Sequence, residues 1–191
     1  MNEEKFNMEL RRFLKKVGIN GQRDIETAAH KALEAGSIAG NETLLRDEMK
    51  PAKLHAYLDR LRAALPVPVS TAEPWHVWLR FPQLARHVDF ITVHLLPYWE
   101  GVPAEHAVDY ALARYAELRR AFPKKRIVIG EIGWPSRGDR ILGAIASPAA
   151  QATFVRDFLA RTADRPLDYY LMEMFDQPWK QAHEGRAGAP P

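Results

Sequence analysis

A chain of 191 residues, 47% hydrophobic and 27% charged, has globular composition and allows one ordinary domain, or one domain plus a small appendage. No apolar run approaches the ~20 residues of a membrane span, and the charged opening MNEEKFNMELRR lacks the apolar core of a secretion signal, so the expected location is cytoplasmic. Zero cysteines exclude a disulfide framework, a thiolate nucleophile and a Cys-ligated zinc site, and a net charge of +3 is too mild to argue for nucleic acid.

All 14 prolines lie at or beyond Pro51 and all five tryptophans at or beyond Trp75, which sets the opening segment apart. Residues 1–36 read as a helical hairpin. Asn2 is a good N-cap, Glu3 and Glu4 suit the first turn, and Phe6, Leu10, Phe13, Leu14 and Val17 form one apolar stripe that Gly18 and Asn20-Gly21 end. A second helix follows from about Gln22 to Ala35, with Gly36 as its stop. A helix-turn-helix that reads DNA has the same outline. Asp24, Glu26 and Glu34 dilute the positive charge of Arg23, His30 and Lys31, so a packing hairpin is the favoured reading and no nucleic-acid partner is expected.

Strands and helices then alternate. Ser37–Asn41 suggests a short strand, 51–65 a helix, and PVPVST over 66–71 a strand. The segment 75–87 is helical in part, 89–96 (DFITVHLL) a strand, 104–122 a long helix, and 126–131 (RIVIGE) a buried strand. A helix over 147–163 and a strand over 167–175 (LDYYLMEMF) complete the pattern, and 183–191 reads as a frayed tail. Strand–helix repeats of this kind predict a parallel α/β sheet. Polar and aromatic residues gather at the C-terminal ends of the strands, where a (β/α) barrel carries its chemistry: Asn41-Glu42, Glu73, His94, Tyr98, Glu131, Trp134, Glu173 and Asp176. Glycine loops for nucleotides and ligand spacings such as HExxH are both missing, so neither a cofactor nor a metal is expected.

GNE (40–42), PVPVSTAEPW (66–75), DFITVHLLPYWEG (89–101), IGEIGWPS (129–136) and FDQPWK (175–180) occur in this order. Together they resemble the later part of a family 17 glycoside hydrolase, in particular its bacterial branch of β-1,3-glucan hydrolases and transglycosylases. The resemblance runs from Gly40 to Trp179 and implies an incomplete (β/α)8 TIM-type barrel over 37–182. A full barrel takes about 250 residues, so the space here fits about five βα units and the chain reads as truncated. Dimerisation would cover the sheet edges this leaves open.

The resemblance also implies roles. Glu131 matches the nucleophile and Glu42 the acid/base of a retaining glycosidase, the pair standing ~5–5.5 Å apart across the bond to be cut. Asn41 would hydrogen-bond the sugar 2-hydroxyl, Trp99 and Trp134 would stack on pyranose rings, and His94 and Tyr98 would hydrogen-bond the nucleophile or the sugar. Glu173 and Trp179 would close the site from the last strand. Read without the family, Glu42 is equally a helix-start glutamate, His94 a satisfied core histidine, and Glu73 a rim residue or a substrate contact. The alternative functions are a catalytically inactive truncated half-barrel that at most binds carbohydrate, and a helical-hairpin module that binds protein or DNA.

Overall fold

The computed structural model describes residues 42–173. The expected hairpin over 1–36, the strand over 37–41 and the tail over 183–191 lie outside the described residues, as do Asn41, Asp176 and Trp179.

Helix α1 (Pro51–Ala64) starts on a proline, which has no amide hydrogen to leave unpaired in a first turn, and buries Leu54 and Leu58. Strand β1 (Ala72–Pro74) follows, then the short helix α2 (Trp75–Arg80) and a 3-10 turn (Pro82–Arg86). Strand β2 (Ile91–Leu95), helix α3 (Ala104–Ala121), strand β3 (Ile127–Gly133), helix α4 (Pro148–Thr162) and strand β4 (Asp168–Met172) complete the order. The four strands pair in chain order and every pair is parallel. Each crossover carries helix, so the sheet is the wall of a partial barrel with its helices outside.

The core lies between sheet and helices. Ile91, Val93, Leu95, Ile129 and Ile132 of the strands meet Trp78 of α2, Ala107, Val108 and Leu118 of α3, and Phe154 and Phe158 of α4. Trp78 is fully buried and its indole N–H donates to the Thr92 carbonyl at 3.0 Å, so its polar atom is satisfied as burial requires.

One strand is displaced from its expected place. PVPVST was read as a strand over 66–71, but pairing begins only at Ala72. Pro66 and Pro68 have no amide hydrogen to give a ladder. The Val69 amide is taken by the Asp89 carboxylate at 2.8 Å, and the Val69 carbonyl accepts from the Asp89 amide at 2.8 Å. The segment therefore runs beside the sheet, tied by the Asp89 carboxylate and by the Ser70 hydroxyl, which donates to the Phe90 carbonyl at 2.7 Å and accepts from the Thr92 hydroxyl at 2.9 Å.

Candidate active site

The site begins with an irregularity in β3. Val93 pairs with Ile129, but His94 pairs with Glu131, so Gly130 is an extra residue opposite β2. A β-bulge re-aims the side chain that follows it. Only glycine fits there: a Cβ on residue 130 would stand 2.5 Å from Thr92 Cγ2 and 3.3 Å from His94 Cδ2. The missing side chain lets β2 and β3 close up and brings His94 beside Glu131. Gly133 serves the next pair, since a Cβ there would lie 1.6 Å from the Met172 carbonyl oxygen of β4.

Glu42 arrives from the other side. Its amide donates to the Ala72 carbonyl of β1 at 3.0 Å, and its backbone sits in the left-handed region with φ of 54°. Glu73, at the middle of β1, accepts from the amides of Leu44 and Leu45 at 2.7 and 3.2 Å and so holds the turn that follows Glu42. Glu73 was read as a rim residue or a substrate contact; it is instead fully buried. Burial raises its pKa most, with the Glu42 charge adding to the rise and the two amides opposing it.

Both candidate carboxylates converge on one imidazole. His94, 3% exposed, places Nδ1 3.0 Å from Glu42 Oε1 and 3.6 Å from Glu131 Oε2. The shorter contact is a hydrogen bond, which puts the Nδ1 proton between His94 and Glu42. Two oxygens set around one nitrogen at these distances are less than about 7 Å apart, which accommodates the ~5–5.5 Å of a retaining pair and excludes most of the ~6.5–9.5 Å range of inverting pairs. The His94 hydrogen bond holds the Glu42 carboxyl below the usual range, against the opposing effect of burial, with Arg46 at 3.3 Å helping. Arg46 stands four residues after Glu42, a helical-turn pairing that sequence spacing alone could have shown.

The aromatic residues divide into two groups. Trp99 is 48% exposed and offers a free face. Trp134 is 2% exposed, enclosed by Tyr98 and Phe154, with its indole N–H donating to the Ile145 carbonyl at 3.2 Å. This corrects the stacking role expected of it: a buried ring, stacked on Phe154 and met edge-on by Tyr98, has no surface left for a sugar. Tyr98 is also buried, and its hydroxyl donates its one proton to the Asp139 carbonyl, so it has no proton left to give a sugar. Together with the Gly143 amide on the Gly101 carbonyl at 3.1 Å, these bonds stitch the loop after β2 to the loop after β3. Glu173 follows β4 directly and is half-buried.

Glu100 went unnoticed in the sequence. Its carboxylate accepts from the Trp75 indole at 3.0 Å and the Tyr110 hydroxyl at 2.6 Å, fastening the Trp99 loop to α2 and α3. Arg114 caps this group over the Trp75 ring at 4.7 Å.

A parallel sheet with two carboxylates meeting near the C-terminal ends of its strands is the arrangement of (β/α)-barrel proteins of the glycoside hydrolase kind. The sequence profile of the BtgE/BtgC glycoside hydrolase domain matches residues 3–189, and the chain belongs to that family. It is similar to a probable glucan endo-1,3-beta-glucosidase, btgC, of Aspergillus clavatus, 26% identical over 179 residues that take in 82% of this chain and 26% of that protein. Among solved structures it resembles a Rhizomucor miehei β-1,3-glucanosyltransferase of glycoside hydrolase family 17, 30% identical with a TM-score of 0.68, covering 82% of this chain and 62% of the other. An active-site mutant of a Rhizomucor miehei β-1,3-glucanosyltransferase in complex with laminaritriose matches at 29% identity and a TM-score of 0.70, covering 80% of this chain and 56% of that one. The chain thus spans about a quarter of the Aspergillus protein and rather more than half of the solved chains.

Proposed function

We propose that this chain carries a site for β-1,3-linked glucans and cleaves them by retaining double displacement. The observation that carries this reading is the convergence of Glu42 and Glu131 on His94 Nδ1 at 3.0 and 3.6 Å. In the first half, Glu131 attacks the anomeric carbon while the leaving glycosidic oxygen takes a proton from Glu42. In the second, Glu42 removes a proton from water or from an acceptor sugar hydroxyl, that oxygen attacks the anomeric carbon, and the bond to Glu131 breaks. Water gives hydrolysis and a sugar gives transfer.

His94 favours the ionised form of Glu42, which suits the second half. A glucan seated over Glu42 excludes water and pushes its pKa up, as the first half needs. Trp99 is the stacking platform for a pyranose ring. Asn41 is assigned to the sugar 2-hydroxyl, and Glu173 and Trp179 to the closing wall, as the family resemblance implies. The same motifs favour the bacterial branch and a match to the later strands of the barrel. Among the described residues β4 has β3 as its only strand neighbour, and Tyr170 on it is 68% exposed. A second copy of the chain is proposed to cover that edge.

Glu131→Gln is expected to lower turnover of laminari-oligosaccharides by about 10³-fold, and Glu42→Gln by about 10²–10⁴-fold, with folding retained by circular dichroism. Proton NMR of the first product should show the β-anomer. Full activity in Glu131→Gln would overturn the proposal.

A further inference from the structure

Glu73 is a fully buried carboxylate whose hydrogen-bond partners, among the described residues, are two successive amides 28 and 29 residues away in sequence. Carboxylates are almost never fully buried without a partner, and here the partner is a concave turn rather than a cation. We propose that Glu73 is a positioning residue: its carboxylate is the anion around which the turn after Glu42 folds, and it thereby holds Glu42 against His94. This inference rests on the function proposed above for Glu42.

The geometry supports it in three ways. First, the sheet presents both groups that fix Glu42 on adjacent strands. Glu73 pairs with Val93 and Pro74 pairs with His94, so the backbone anchor and the imidazole are one residue apart in a single register. Second, Glu42 holds a left-handed backbone, which a residue with a Cβ keeps only where its neighbours pin it. The pins are its own amide on the Ala72 carbonyl and the next amides on Glu73. Third, among the described residues the titratable groups that act on Glu73 are Glu42 and His94, the pair whose contact it would set.

Protonation of Glu73 removes the charge and turns one of the two accepting oxygens into a hydroxyl, a much poorer acceptor, so one of the two amide bonds weakens. Burial pushes the Glu73 pKa up, so this happens above the pH at which Glu42 itself protonates. The turn then loosens, and the acid side of the activity profile reports Glu73.

The test compares the wild-type chain with Glu73→Gln by NMR and by kinetics on laminari-oligosaccharides. In the variant, the Leu44 and Leu45 amides should exchange at least about tenfold faster, with Thr92 and Val93 unchanged. The Glu42 carboxyl should titrate at higher pH, because its contact with His94 is lost. Removal of the Glu73 charge alone would move it lower. Turnover should fall about 10–100-fold, with KM changed much less. A variant that loses only thermal stability, with the Glu42 titration and kcat in place, would overturn the proposal. If the wild-type chain cleaves no glucan, the proposed function fails, while the amide and carboxyl readings still decide whether Glu73 positions Glu42. If Glu73→Gln does not fold, the wild-type titration decides: the Leu44 and Leu45 amide shifts must move with the Glu73 carboxyl, and flat shifts would overturn the proposal.

Discussion

Gly130 shows how much of the site rests on a single missing side chain. With Thr92 Cγ2 at 2.5 Å from any Cβ there, and Thr92 stiff about its own Cβ, a methyl group forces β2 and β3 apart. Gly130→Ala should cost about 1–3 kcal/mol in urea unfolding and should displace the His94 ring resonances. Glu42 and Glu73 respond to pH in opposite directions. The folded-state pKa of Glu42 is lowered, so its stabilising contribution is fully present above the ordinary 4.5 and is lost as pH falls through the lowered value. That of Glu73 is raised because burial penalises its ionised form more than the two amides favour it, so its net contribution is present below 4.5 and is lost as pH rises through the raised value, even though the amide bonds to the turn are strongest to the ion. Glu42→Gln is therefore expected to be less stable than wild type at neutral pH and equal to it in strong acid, checked by urea midpoints across pH. At this scale the sequence was only partly legible. The IGEIGWPS motif drew attention to Glu131, and the structure places that carboxylate 3.6 Å from His94 Nδ1. Trp134 misled, because nothing in the string shows that Tyr98 and Phe154 enclose its ring. Glu73 beside Pro74 looks like a rim residue, since the amides that hold it come from Leu44 and Leu45, far away in the chain.

Elements read more clearly than residues. The helix expected over 104–122 is α3 to within a residue, because its apolar spacing and the preceding Pro103 act locally. Ser147 was expected to open the last helix, and it does: its hydroxyl accepts from the Ala150 amide at 3.0 Å. Ser147→Ala should destabilise the fold by about 1 kcal/mol in urea unfolding while leaving the kcat of the glucan reaction in place. The misplaced strand at 66–71 has a different cause. Val67 and Val69 supply strand propensity, but ladder formation depends on which amides are free, and the Asp89 carboxylate takes that of Val69. β-propensity reports a side chain's fit to a sheet, not the fate of its backbone.

At the scale of the whole molecule, the alternation of strand and helix and the order of the motifs led to the parallel sheet and the barrel wall that the structure shows. Four strands stand among the described residues where about five units were expected. The order of those motifs puts His94 and Glu131 opposite one another near the C-terminal ends of β2 and β3, with Glu42 reaching the same imidazole from beside β1. That is why two carboxylates 89 positions apart reach one imidazole. The proposed function turns on a covalent bond between Glu131 and the sugar. Peptide mass mapping after incubation with a 2-deoxy-2-fluoro β-1,3-gluco-oligosaccharide carrying an activated leaving group reads that bond directly. One glycosyl adduct is expected, on the peptide containing Glu131 and absent from Glu131→Gln. No adduct in the wild-type chain, or an adduct on another residue, would contradict the proposed function.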